Sequence, residues 1–121
     1  MDYRIRILVA HLESNLHQPL VLEELASLVN LSVSRLQHLF KEETGMTIGQ
    51  YLRHLRLDAA SMLMKTTCLT VKEVQGKVGY SDTSQFIRDF KQTFGVTPLQ
   101  YRKEHFEQYE IAIVLNSRIL H

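Results

Sequence analysis

The sequence has one cysteine, no tryptophan, two prolines and five glycines in 121 residues. Each scarcity removes a class of protein. A single thiol, Cys68, closes no internal disulfide, so a disulfide-stapled scaffold is excluded and a reducing compartment fits. Little Gly and Pro, with 45% hydrophobic and 22% charged residues, excludes a disordered or low-complexity chain. No apolar run approaches the ~18 residues of a membrane span. The opening "MDYRIRILVAHLE" is broken by charges where a secretory signal needs a continuous apolar core. The expected location is the cytoplasm, with no membrane partner. CxxC pairs, HExxH and Gly-rich phosphate loops are all missing, so no metal, cofactor, catalytic residue or enzymatic activity is expected. Ser34 and His38 stand four apart on one helix face, which is more simply a polar stripe than a catalytic pair. Cys68, between Thr67 and Leu69, reads as a half-buried apolar residue. The formal net charge is only +1, so any argument for a polyanionic partner rests on where the charges sit.

What is present is helical periodicity. Ile5, Leu8, Leu12 and Leu16 mark a first helix that stops near Pro19. Leu22, Leu25, Ala26 and Val29 mark a second. Ser32 is a good N-cap for a third that buries Val33, Leu36, Leu39 and Phe40. Residues 48 to 66 form the longest periodic stretch, with Leu52, Leu55, Ala59 and Leu63 on one side. Thr70 opens a fifth helix, with Glu73 in the capping-box position. Phe86, Phe90 and Phe94 mark the buried side of a sixth, and Pro98 takes the first position of a seventh. The expectation is an all-α fold of seven helices and no strand.

The chain repeats itself. "GMTIGQY" at 45–51 returns as "GVTPLQY" at 95–101. Gly45 and Gly95 suit the left-handed residue that ends a helix. Thr47 and Thr97 then cap the next helix, with Gln50 and Gln100 reciprocating. Met46 with Tyr51, and Val96 with Tyr101, occupy hydrophobic-staple positions. Upstream, "LEELASLVNLS" parallels "VKEVQGKVGYS" at an offset of 49, and "SRLQHLFKEETG" parallels "SQFIRDFKQTFG" at an offset of 50. Each unit is a short helix, a tight turn at Asn30-Leu31 or Gly79-Tyr80, a capped second helix and a Gly corner. That is a helix-turn-helix signature; a helical hairpin inside a bundle is the plain alternative. The expected organisation is a helix-turn-helix subdomain at 1–48, a linking helix at 49–66, a second subdomain at 67–108 and a tail at 109–121.

The faces of the capped helices favour DNA. Ser34, Gln37, His38 and Lys41 follow i, i+3, i+4, i+7 with no acid between 34 and 41. Ser84, Arg88 and Lys91 recur at equivalent positions, with Gln85 beside them and Ile87 in place of Gln37. Arg suits guanine, Gln adenine, Ser either, Lys phosphate, and Ile a thymine methyl. One such stripe is as easily a solvated face; two matching stripes after two matching turns are not. About 19 residues of linking helix at ~1.5 Å each span roughly 28 Å, against about 34 Å between successive major-groove segments. The two recognition helices, about 33–43 and 82–93, are thus expected to enter successive segments of one duplex. An imperfect fit would bend the DNA at a cost on the order of 1–6 kcal/mol. Arg53, His54, Arg56, Lys65, Arg102 and Lys103 are candidates for phosphate contacts or ordinary surface charges.

At this point the sequence resembles a known family. "VGYSDTSQFIRDFKQTFGVTPLQYRK", with "LEELASLVNLS", "LFKEETG" and "YLRHLRLDAASMLM" in the first half, is similar to the signature of AraC/XylS transcription regulators over about residues 5 to 105. The resemblance implies a seven-helix DNA-binding domain of a bacterial transcription factor, usually an activator that touches RNA polymerase. Carried onto this chain, it implies base-reading roles for Ser34, Arg35, Gln37 and His38, and for Thr83, Ser84, Gln85 and Arg88, with Lys41 and Lys91 on phosphates. One departure stands out. Gln75 occupies a position where the family usually has a small Ala, as at Ala26, and Gly76 follows it; a bulky amide at a close helix contact beside a helix-weakening Gly is expected to loosen the second motif. The tail "FEQYEIAIVLNSRILH" runs past the family core, and its apolar part is expected to pack back on the domain, or else on a partner copy. The chain has no room for the effector domain of longer members and shows no small-molecule pocket segment, so it reads as a stand-alone regulator or an excised C-terminal piece. Monomeric binding to an asymmetric site is expected. The competing reading is a protein-docking module for polymerase or a co-regulator, whose binding would resist salt where phosphate binding would not.

Overall fold

A computed structural model describes residues 1–106 of the chain; the tail at 109–121 lies outside the described residues. Six helices are complete: α1 (Tyr3–Ser14), α2 (Leu22–Leu28), α3 (Val33–Thr44), α4 (Ile48–Thr66), α5 (Val71–Lys77) and α6 (Thr83–Phe94). A seventh, α7, begins at Pro98 and is helical through 106. The described residues contain no strand. The chain divides into two compact units, Met1–Arg56 and the residues from Leu57 on, so the boundary falls inside α4.

The first unit is built on Ile5, Leu8 and Leu12 of α1, Leu25 and Ala26 of α2 with Val29 at its end, Leu36 and Phe40 of α3, and Ile48 and Leu52 of α4. The helix starts follow the sequence. Asp2 caps α1 by accepting the Arg4 backbone N–H at 2.9 Å. Its carboxylate also meets the Arg4 guanidinium at 3.0 Å, and these bonds hold its pKa below the ordinary carboxylate value. The end of α1 differs from expectation. The helix stops at Ser14, where the Asn15 side-chain amide donates to the His11 carbonyl at 2.8 Å and diverts the backbone. Leu16 therefore packs on the core from the following loop. Arg56 holds that loop in place, donating from Nε to the Leu16 carbonyl and from Nη2 to the Gln18 carbonyl, both at 2.8 Å.

The second unit repeats the plan with a more aromatic core: Leu57, Ala60 and Met64 of α4, Val74 of α5 with Val78 at its end, and Phe86 and Phe90 of α6. The apolar stripe of α4 is also not as expected. Leu52 is buried, but Leu55, Ala59 and Leu63 are only half-buried, and after Arg56 the buried positions become Leu57, Ala60 and Met64. One helix serves two cores, so no single periodic row runs its length. Cys68, expected to be half-buried, is exposed; Leu69 is the residue of the α4–α5 link that packs on the core.

The repeat seen in sequence is a repeat in geometry. Phe40 meets Tyr51 edge-on at 5.4 Å and 87°, and Phe90 meets Tyr101 edge-on at 5.4 Å and 83°. Gly45 and Gly95 take φ of 77° and 81°, and each donates its N–H to the carbonyl four residues back, Lys41 or Lys91, at 2.8 Å. Thr47 with Gln50, and Thr97 with Gln100, form reciprocal capping bonds between 2.9 and 3.2 Å. Thr70 and Glu73 complete the same box at the start of α5.

Candidate nucleic-acid interface

Each turn that aims a second helix is a Schellman closure. In the first unit Leu31 N–H donates to the Ala26 carbonyl at 3.0 Å and Asn30 N–H to Ser27 at 3.3 Å, with Asn30 left-handed at φ 58°. In the second, Tyr80 N–H donates to Gln75 at 3.0 Å and Gly79 N–H to Gly76 at 3.2 Å, with Gly79 at φ 93°. These paired bonds close the helix end and fix the direction in which the chain leaves it. The next helix is then capped within two or three residues. The Ser32 hydroxyl accepts the Arg35 N–H at 3.2 Å, and the Asp82 carboxylate accepts the Gln85 N–H at 2.9 Å.

With Leu36 and Phe40 inside, α3 turns Ser34, Arg35, Gln37, His38 and Lys41 to solvent. His38 Nε2 lies 3.6 Å from a Glu42 carboxylate oxygen, with both side chains largely exposed. Beside this stripe the surface is concave, walled by Leu20, Leu22 and Ile48 and rimmed by Gln37, His38 and Lys41. The sequence reading did not pick out that wall. Its signal was Leu20 and Leu22 flanking an α2 start with no side-chain cap.

With Phe86 and Phe90 inside, α6 exposes Thr83, Ser84, Gln85, Arg88 and Lys91. The eight candidate base readers are therefore all at the surface, four on each second helix. They are not equally available. The Thr83 hydroxyl donates to Gln75 Oε1 at 2.7 Å, and the Gln85 amide is bonded on both sides, to Asp89 at 2.7 Å and to Arg88 at 3.2 Å. Ser84, Arg88 and Lys91 keep an outward stripe. Gln75, expected to loosen this motif, is buried with both ends of its amide bonded, the second to the Tyr80 carbonyl at 3.3 Å. It ties the turn to the start of α6.

The candidate phosphate ligands also divide. Lys41, Lys91 and Arg53 are exposed. Arg102 is half-buried: its Nε donates to the Met64 carbonyl at 3.2 Å near the end of α4, and its guanidinium lies 5.9 Å from the Phe106 ring centre. A helix end leaves carbonyls in need of donors, and Arg102 supplies one. Lys65 lies 5.9 Å from the Tyr101 ring centre, and Arg56 is committed to the α1–α2 loop. Among the described residues no three His, Cys, Asp or Glu side chains gather as a metal site, and no helix is long and apolar enough to cross a membrane.

Comparison with known proteins agrees with this geometry. A family model described as a helix-turn-helix domain matches residues 25–104. The transcriptional activator RhaR of Mannheimia succiniciproducens is 33% identical over 105 residues, covering 87% of this chain but 38% of RhaR, so the chain spans a little over a third of that relative. The transposon Tn10 TetD protein of Escherichia coli is 33% identical, covering 88% of this chain and 77% of TetD. Among solved structures, the DNA-binding domain of the global transcriptional factor AdpA, in complex with a target DNA, superposes with a TM-score of 0.81 at 26% identity, over 87% of this chain and 95% of that one.

Proposed function

Because the chain belongs to the AraC/XylS family of helix-turn-helix transcription regulators, we propose that it binds double-stranded DNA sequence-specifically and regulates transcription in the bacterial cytoplasm. Helix α3 and helix α6 each enter a major-groove segment. One observation carries the reading: the same Schellman turn, N-cap and Gly corner occur twice, and each time they present a polar and basic stripe opposite a buried hydrophobic core. Ser34, Arg35, Gln37 and His38 face one set of base edges, and Ser84 and Arg88 face another. Lys41, Lys91 and Arg53 contact phosphates, which fix register and orientation without reading sequence. Arg102, bonded to α4, contributes to phosphate binding only through donors it has left. RhaR is a transcriptional activator, which supports activation here, with RNA polymerase as the protein partner.

The test is selection of bound sequences from random duplexes by the purified chain at two salt concentrations. Two unlike short boxes are expected, and His38→Ala and Arg88→Ala should each relax one of them. Binding without enrichment that is lost at higher salt would leave only non-specific attraction, and no binding to any duplex would instead favour a protein-docking module.

A further inference from the structure

The second helix-turn-helix contains a chain of polar contacts whose positions in the first are apolar. Gln75, Tyr80, Thr83 and Asp89 correspond, at the offsets of the repeat, to Ala26, Leu31, Val33 and Leu39. The four are linked to one another or to the reading face. Gln75 bonds Thr83 at 2.7 Å and the Tyr80 carbonyl at 3.3 Å. The Tyr80 hydroxyl donates to one oxygen of the buried Asp89 carboxylate at 2.9 Å, and Gln85 Nε2 donates to the other at 2.7 Å. Gln85 Oε1 then accepts from Arg88 Nη1 at 3.2 Å.

A buried carboxylate is costly without donors, and it offers only acceptors. Asp89 therefore requires the NH2 side of the Gln85 amide, which leaves the carbonyl side facing Arg88. Reading adenine with Gln takes an N–H and the carbonyl of the amide together, in one orientation toward the base edge. In Gln85 one N–H is held by Asp89 and the carbonyl by Arg88, so the plane of the amide is set by these two partners. Reading guanine with Arg takes two donors out of five, and the bond to Gln85 uses one. Resting on the DNA-binding reading above, we propose that Gln85 is a positioning residue. The Tyr80–Asp89–Gln85 relay orients the Arg88 guanidinium, and α6 reads a guanine through Arg88, with no adenine read by Gln85.

The experiment is the same duplex selection, followed by competition binding on duplexes varied one base pair at a time, with Arg88→Ala, Gln85→Ala and Tyr80→Phe. Tyr80→Phe keeps the ring that packs 5.2 Å from Phe86 and removes only the hydroxyl. Arg88→Ala should lower preference for one guanine by about ten- to a hundredfold. Gln85→Ala and Tyr80→Phe should weaken that same preference by about three- to tenfold and leave every other position of both boxes unchanged. Loss of an adenine preference in Gln85→Ala would overturn the proposal while leaving DNA reading intact. So would an unchanged guanine preference in Tyr80→Phe, or an equal loss on all sequences. Failure of the unaltered chain to enrich any sequence would overturn the DNA-binding reading itself, and this proposal with it.

Discussion

At the start of α5, Glu73 accepts the Thr70 backbone N–H at 3.1 Å while the Thr70 hydroxyl accepts the Glu73 N–H at 3.1 Å. The bond from the Thr70 backbone, then that from its side chain, holds the Glu73 carboxyl below its ordinary 4.5. A depressed folded value means stability that is present above about pH 4.5 and is lost as pH falls through the folded pKa. The two other capping boxes carry Gln50 and Gln100 in the same place, so Glu73→Gln should keep the geometry. Near neutral pH the variant should be slightly less stable than the parent, since it lacks the charge that the depressed pKa shows the fold favours, and its decline in acid should be shallower; a parallel decline would remove the carboxylate from the account. Thr70→Ala, which deletes the hydroxyl acceptor, should cost about 1 kcal/mol in urea unfolding. Residue identities of this kind were legible because their partners lie three positions away. The partners of Gln75 were not: its size was visible, but the bonding that accommodates it depends on Thr83 and Tyr80 being brought to it by a formed turn.

At the scale of elements, a glycine that ends a helix and a glycine inside one have opposite consequences. Gly45 and Gly95 are left-handed, and a Cβ there would meet nothing within 4 Å, so the penalty for alanine is purely conformational. Gly45→Ala and Gly95→Ala should each destabilise by on the order of 1–2 kcal/mol. Gly76 is helical with equally open space around it, so Gly76→Ala should stabilise by about 0.5–1 kcal/mol. Urea midpoints of the three variants would check both signs. Caps and corners were readable from sequence because they are local devices with fixed spacing. The end of α1 and the buried row of α4 were not, since Asn15 ends the helix with an apolar residue still to come, and α4 divides its faces between two cores. Within the site, exposure of the stripes followed from helical period. The bonds that commit Gln85, Thr83 and Arg102 are side-chain geometry that period does not encode.

For the molecule as a whole, a net charge of +1 means that attraction to DNA comes from a few placed cations and not from a general field. Binding should weaken with salt at a slope of about −0.9 per phosphate contacted. Lys41→Gln and Lys91→Gln should each flatten that slope by about 1 without changing the selected sequence. His38→Ala should alter the sequence and leave the slope alone. A Lys41→Gln variant with an unchanged slope would place that lysine away from the backbone. The bracketing of α3 between Ser32 and Gly45, and of α6 between Asp82 and Gly95, has an engineering consequence. Each reading helix looks like a cassette that could be exchanged between units, yet moving α6 alone would bury Asp89 where Leu31 replaces Tyr80, and moving α3 alone would put Val33 against the amide of Gln75. The smallest portable module is the whole helix pair with its turn, residues 22–45 or 71–95, and grafts cut at those borders should fold where grafts of the reading helix alone do not.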